Sequence, residues 1–242
     1  MRVFLYISYD GSKFQGFQKQ PNKNSVMDRI IFALKELGIT SKPIGSGRTD
    51  SGVHALNQVV HIDLPTFWED LEKFKNTLNR LLYPSVYVRK TIPVSESLHA
   101  RFDAKKRLYR YICYEGEYAP FLGEFALLRQ RLDVSLLNQT LSLFQGKHDF
   151  GYFKKTGSPT KDDIRTLYKA DAYRYKKFTV LRFLGDGFLR SQVRMMAGAA
   201  FAVQEGTLTL DELKAQIDKK IRIFTKAAPS TGLYLSRIYY DF

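Results

Sequence analysis

Cysteine is almost missing from this 242-residue chain. Cys113 is its only one, so no internal disulfide and no cysteine-rich metal centre can form. That usage fits a reducing cytoplasm, with Cys113 read as a small buried filler. Histidine is scarce too: the four stand at positions 54, 61, 99 and 148, with no His-x-x-x-His pair and no Asp-x-Asp run beside them. Metal-dependent hydrolysis is therefore disfavoured and no metal site is expected. No apolar run approaches the length of a membrane span, and no signal-peptide pattern precedes the first strand. The glycine-rich stretches lack a Gly-Lys-Ser/Thr ending and no Gly-x-Ser-x-Gly occurs, which speaks against nucleotide hydrolysis and against a serine hydrolase.

Acidic side chains are in short supply, 24 against 38 lysines and arginines, for a formal charge of +14. Such a chain attracts polyanions. No basic amphipathic helix of the membrane-surface type stands out, so nucleic acid leads as the partner. Fifteen tyrosines and eighteen phenylalanines interleave with the charges, as stacking on bases requires. With 44% hydrophobic residues the chain is globular and long enough to bury a full core.

Hydrophobic period then places the elements. Arg2 to Tyr9 alternates as a strand with Val3, Leu5, Ile7 and Tyr9 on one side. Ser25 and Asp28 form a capping box before a helix that stops at Gly38. Gln58 to Leu64 is a strand; Thr66 and Glu69 cap a second helix through Leu82, and Ser85 to Ile92 is a strand. His99, Arg101, Lys105, Lys106 and Arg107 form a basic connection, with a domain boundary placed near Ala104, giving domains 1–104 and 105–242. Leu108 to Tyr114 is a strand, and Val134 to about Gly146 a helix. Gly151 to Asp163 is a long polar loop, of a length often functional. Leu167 to Leu184 reads as a hairpin turning at Lys176-Lys177. Phe188 to Glu205 is a helix, another starts at Thr209, and Leu233 to Tyr240 is the last strand. The fold class expected is α+β, mainly antiparallel sheets with helices, without the regular alternation of a doubly wound sheet.

One stretch resists assignment to the core. Gly45-Ser-Gly-Arg-Thr-Asp-Ser-Gly-Val-His-Ala55 carries three glycines in eight positions and no apolar side chain between Ile44 and Val53. It is a polar loop running into a strand, with Arg48 two residues before Asp50. One reading is a plain turn in which Asp50 bonds its own backbone. The other is a scaffolded site. Ordinary glycoside hydrolysis needs two carboxylates and the loop offers one. A single carboxylate can act as a nucleophile or base on a base–sugar unit, held ionised by a neighbouring arginine. Lys105, Lys106, Arg107, Lys154, Lys155, Lys176 and Lys177 are candidate phosphate contacts, and His54 and His148 read as loop-ordering residues.

Six segments, in order, resemble motifs of the TruA family of tRNA pseudouridine synthases. They are Tyr9 to Gln18, Gly47 to Ala55, His99-Ala-Arg-Phe102 with Arg107 to Ile112, Gly146 to Phe150, Phe188 to Gly198, and Ala227 to Leu235. The resemblance implies two α/β domains whose sheets join into one bent sheet around a basic cleft. It also implies a homodimer, tRNA as partner, no cofactor, and isomerisation of uridine at tRNA positions 38, 39 and 40 in the anticodon stem-loop. By that similarity Asp50 is the nucleophile and Tyr109 stacks on the uracil. Arg194 pairs with Asp50, and Leu235 lies in the substrate pocket. Arg48 displaces the base, and His99, Arg101, Phe102, Lys105, Lys106, Lys154 and Lys155 hold RNA. Two other readings keep the scaffold: an RNA-binding or RNA-folding protein without chemistry, and a single-carboxylate nucleoside glycosylase.

Overall fold

A computed structural model describes residues 1–157 and 161–241. The chain divides into two compact units, residues 1–105 with 235–242, and residues 106–234.

The first unit is a sheet in the order β4 (Val86–Val94), β1 (Arg2–Tyr9), β3 (His54–Asp63), β10 (Leu233–Tyr239). Both β3 and β4 run antiparallel to β1, with Leu5 opposite Val60 and Thr91, and Tyr9 opposite Ala55 and Val86. A short β2 (Ile44–Gly45) adds to β3. The alternation seen in the sequence puts Val3, Leu5, Ile7 and Tyr9 inside. However, β3 is buried on both faces, His61 and Val59 as well as Val60 and Ile62. It starts at His54, four residues before the strand pattern predicts.

Helix α1 (Val26–Glu36) begins where expected: the Asp28 N–H donates to Ser25 Oγ at 3.0 Å, and Ser25 Oγ–H donates to Asp28 Oδ2 at 2.6 Å. Helix α2 (Leu71–Leu82) is capped by Asp70, which accepts the Lys73 N–H, and not by Thr66 as predicted. The residues between make a separate turn, in which Trp68 donates its indole N–H to the Leu37 carbonyl at 3.1 Å. Asn79 fastens α2 to β4, accepting the Val88 N–H at 2.6 Å and donating to the Val88 carbonyl at 3.0 Å.

In the second unit the order is β5 (Lys106–Tyr114), β9 (Phe178–Gly185), β8 (Ile164–Tyr175), β7 (Gly146–Asp149), all antiparallel, while β6 (Leu127–Leu128) joins β5 in parallel. The hairpin β8–β9 turns at Lys176-Lys177 as the sequence indicates, with Lys176 at φ +54°. Helix α3 (Val134–Ser142) lies on β8 through Asn138, which accepts the Ala172 N–H and donates to its carbonyl. Strand β7 was not visible in the sequence. Four residues carry too short a pattern, and only Gly146, at φ +100°, marks its start.

Helix α4 (Gln192–Gln204) starts four residues later than predicted. Ser191 takes a left-handed φ of +58° and the Leu189 N–H is satisfied by the Gln192 side chain at 2.8 Å. It is buried almost all round, which is why its sequence is apolar on every side. Helix α5 (Leu210–Ile217) begins with a complete capping box between Thr209 and Glu212. Within the predicted loop 151–163, Gly151–Phe153 forms a 3-10 turn with Phe153 buried, and positions 158–160 lie outside the described residues. Both units thus mix antiparallel strands with helices, as the composition and pattern predict.

Candidate active site

The polar loop after β2 is held from two sides. On one, the fully buried Gln58 of β3 acts as a knot. Its Oε1 accepts Ser46 Oγ–H at 2.5 Å and its own neighbour's N–H, from Val59, at 3.2 Å, while its amide donates to the Gly47 carbonyl at 3.0 Å. A polar side chain at the centre of an apolar strand costs free energy unless each group is bonded, and here both ends are.

On the other side, the segment after β1 packs its backbone directly against the loop. The Gly11 N–H donates to His54 Nδ1 at 3.0 Å, and a Cβ on Gly11 would lie 2.1 Å from the Val53 carbonyl oxygen. The same nitrogen lies 3.4 Å from Asp10 Oδ1. Gly16, at φ +96°, faces the Thr49 carbonyl so closely that a Cβ would stand 2.9 Å from it. Thr49 is buried. Its hydroxyl meets the Tyr9 hydroxyl at 2.8 Å, and its carbonyl accepts the Phe17 N–H at 3.1 Å.

Asp50 follows at once and is half-exposed, its carbonyl accepting the Val53 N–H at 3.1 Å to close a turn. Arg48 is exposed and makes no hydrogen bond or ion pair with its unit among the described residues. It is not the partner of Asp50 that their spacing suggested, because the buried Thr49 between them turns inward.

A second cluster of predicted residues forms at His99–Asp103. His99 Nδ1 accepts the Arg101 and Phe102 N–H groups at 3.1 and 3.3 Å, and the His99 N–H donates to Asp103 Oδ2 at 2.7 Å. This tight turn pushes Phe102 outward, 77% exposed, stacked on His99 at 4.3 Å with the Arg101 guanidinium 5.9 Å from its ring. Beneath lies His61, whose Nδ1 accepts the Ala100 N–H at 3.0 Å and whose ring meets His99 edge-on at 4.8 Å. Lys105 is exposed, 3.5 Å from Asp241, and Leu235 is buried on β10.

Burial, then the nearby Arg2 and His99 charges, lower the pKa of His61 to about 4. The unfolded chain therefore takes up this proton first as pH falls. The stability held by a neutral His61 is complete above about 6.5 and is lost on descent towards 4, up to about 3 kcal/mol at about 1.4 kcal/mol per pKa unit. Urea titrations at pH 7 and pH 4.5 should show this loss in the native chain and a smaller one in His61→Gln.

The second unit holds the other predicted residues. Tyr109 of β5 is buried, its ring edge-on to Phe188 at 5.2 Å. Arg194 of α4 donates Nε–H to the Ala228 carbonyl at 2.8 Å and accepts the Ala228 N–H on its own carbonyl at 2.8 Å. One turn further on, Gly198 lets segment 226–228 lie against the helix, since a Cβ there would stand 2.5 Å from the Lys226 carbonyl oxygen. The segments at 188–198 and 226–228 thus interlock around Arg194. Lys106 lies over the Tyr168 ring at 4.7 Å, Lys154 is ion-paired with Asp163 at 2.6 Å, and Lys155 is exposed while its N–H donates to the Arg190 carbonyl. Burial raises the Cys113 thiol to about 12, so it is no nucleophile.

Sequence reasoning missed Gln58 and the Tyr9–Thr49 link. The first had a signal, an amide alone in an apolar strand; the second had none, as Tyr9 reads as one more inward aromatic.

The loop thus presents a half-exposed carboxylate on a braced backbone, in a strongly basic α/β chain. Residues 5–103 and 141–241 match the model of the tRNA pseudouridine synthase family. The chain is 38% identical over 240 residues to tRNA pseudouridine synthase A of Campylobacter jejuni strain 81116, covering 99% of this chain and 100% of that one. It is 39% identical over 239 residues to the enzyme of Wolinella succinogenes, with 99% and 94% covered. To that of Helicobacter pylori strain 26695 it is 40% identical over 245 residues, with 99% and 100% covered. Among solved structures, a Cbf5–Nop10–Gar1 complex overlays with a TM-score of 0.41 at 11% identity, over 97% of this chain and about half, 49%, of that one. The chain belongs to the tRNA pseudouridine synthase family.

Proposed function

We propose that this chain converts uridine to pseudouridine in the anticodon stem-loop of tRNA, at tRNA positions 38, 39 and 40, with Asp50 as nucleophile. The observation that carries this reading is the bracing of Asp50. Thr49, Ser46 and Gln58 fix the loop through buried hydrogen bonds, yet Asp50 itself stays half-exposed. In the reaction Asp50 forms a bond to the uridine and the N1–C1′ bond breaks; the uracil turns, a C5–C1′ bond forms and the bond to Asp50 breaks, so that the carboxylate is regenerated while C5 gives up its proton and N1 gains one. The change is redox-neutral, and the family likeness implies no cofactor.

The target lies in or beside a stem and has to be extruded, at a cost of roughly a few kcal/mol. Stacking on an aromatic side chain returns about 1–3 kcal/mol per base. By family likeness Tyr109 takes the flipped uracil, Leu235 is a further substrate-binding residue, and Arg194 pairs with the Asp50 carboxylate. Arg48, exposed and unpaired within its unit, fills the space the base leaves. His99 and Arg101 support Phe102 as a stacking platform, and Lys105, Lys106, Lys154 and Lys155 serve as phosphate contacts, Lys154 by exchanging Asp163 for RNA. By family likeness the chain works as a homodimer in the cytoplasm; light scattering at twice the chain mass checks the first part.

Tritium release from tRNA labelled at uracil C5 tests the whole reading. Release should match pseudouridine formed at tRNA positions 38 to 40. Free uracil would mark a glycosylase, and tight binding without release a binding protein. Phe102→Ala should weaken tRNA binding about tenfold, the stacking energy of one base. It should change the melting temperature little, because the ring is 77% exposed and its one stacking contact is with His99; filter binding and a thermal melt check the two halves.

A further inference from the structure

We propose that the hydroxyl pair Tyr9–Thr49 is a positioning device that sets the aim of the Asp50 carboxylate. This rests on the reading of Asp50 as nucleophile.

Thr49 is the last residue before Asp50, so any rotation of its peptide swings the carboxylate directly. Three constraints bear on it. Its carbonyl is pinned by the Phe17 N–H at 3.1 Å. Its backbone lies against Gly16 with no room for a Cβ. Its side chain meets the Tyr9 hydroxyl at 2.8 Å inside the core, Tyr9 being 5% and Thr49 8% exposed. The first two hold the loop down but leave the side-chain direction of residue 49 undetermined. The hydroxyl pair supplies the missing restraint.

Tyr9 is a firm anchor for that purpose. It ends β1 between Ala55 and Val86, and its ring packs against Phe17 at 6.1 Å and 27°. Phe17 is itself locked, since a Cβ on Gly45 would stand 2.3 Å from its ring. The restraint therefore runs from the sheet, through one phenol, to the residue adjoining the reacting group. Small errors in aim matter: displacing a reacting group by about 1 Å costs on the order of a hundredfold in rate.

The experiment compares Tyr9→Phe, Thr49→Val, Thr49→Ser and the Tyr9→Phe/Thr49→Val double variant in single-turnover and steady-state tritium release, with thermal melts alongside. Tyr9→Phe and Thr49→Val should each lower kcat about ten- to a hundredfold, with KM for tRNA within about twofold of the native value. The double variant should be no slower than the slower single one, because both remove the same link. Thr49→Ser keeps the hydroxyl and should recover at least a third of the native kcat.

The proposal is overturned if both single variants, folded at the assay temperature, keep kcat within twofold. It is also overturned if their losses multiply in the double variant, or if KM rises in step with the fall in kcat. Asp50→Asn is assayed in parallel. Full activity there removes the nucleophile assignment itself, whereas an inactive Asp50→Asn beside fully active hydroxyl variants removes only the positioning role.

Discussion

Asp50→Asn should abolish tritium release, by at least about ten-thousandfold, while tRNA affinity stays within about threefold. The two side chains have the same size, and the hydrogen bond that closes the turn comes from the Asp50 backbone carbonyl, not its side chain. The loop is held through Thr49, Gln58 and Gly16, none of which is altered. Only the charge and nucleophilicity change: an amide oxygen cannot form the covalent adduct that a carboxylate can, so the loss falls on the chemical step. Asp50→Glu refines the test. It restores the charge but advances it by one methylene, roughly 1 Å, and should retain about 1% of the native rate. Rates come from tritium release, affinities from filter binding. Activity in Asp50→Asn within tenfold of native would show that another group reacts.

The second large effect is expected at Gly16. Gly16→Ala places a methyl 2.9 Å from the Thr49 carbonyl oxygen and 3.3 Å from the Ser51 nitrogen, at a φ of +96° that side chains rarely adopt. Strain at such a position costs about 1–3 kcal/mol, and the contact, being with backbone, cannot be relieved by a rotamer change. We expect a total loss of about 2–4 kcal/mol and a fall in kcat, because the relief available is for the loop bearing Asp50 to lift. Gly47→Ala supplies the comparison within the same loop. Nothing lies within 4 Å of a Cβ there and its φ is not in the left-handed region, so its stability should change by less than about 0.5 kcal/mol. Urea unfolding of both variants decides the matter; equal stabilities would show that the loop does not press on Gly16.

Much of this was legible in the sequence because the signals were local. Alternation marked β1, the Ser25 and Thr209 caps marked their helices, and Lys176-Lys177 marked the hairpin turn. The loop at 45–55 announced itself through glycines and the absence of apolar side chains. What escaped depended on distance along the chain. The cap of α2 went to Asp70 because Trp68 is drawn to Leu37. Helix α4 started late because Ser191 adopts a conformation no pattern encodes. The expected Arg48–Asp50 pairing failed because spacing of two says nothing about which side chains a loop turns inward. Above all, the bracing of the loop comes from residues 9–17, some forty positions earlier, and no local rule connects the two.

Strand β10 has a consequence for how the protein is made. Its residues from Leu235 on belong to the first unit, where they pair beside β3, the strand that leads straight out of the Asp50 loop. A ribosome that has released residues 1–105 has therefore not yet released everything their sheet needs. A variant ending at Tyr234 would leave the β3 edge of that sheet without its neighbouring strand, and Leu235, the last residue of the sixth motif, would go with it.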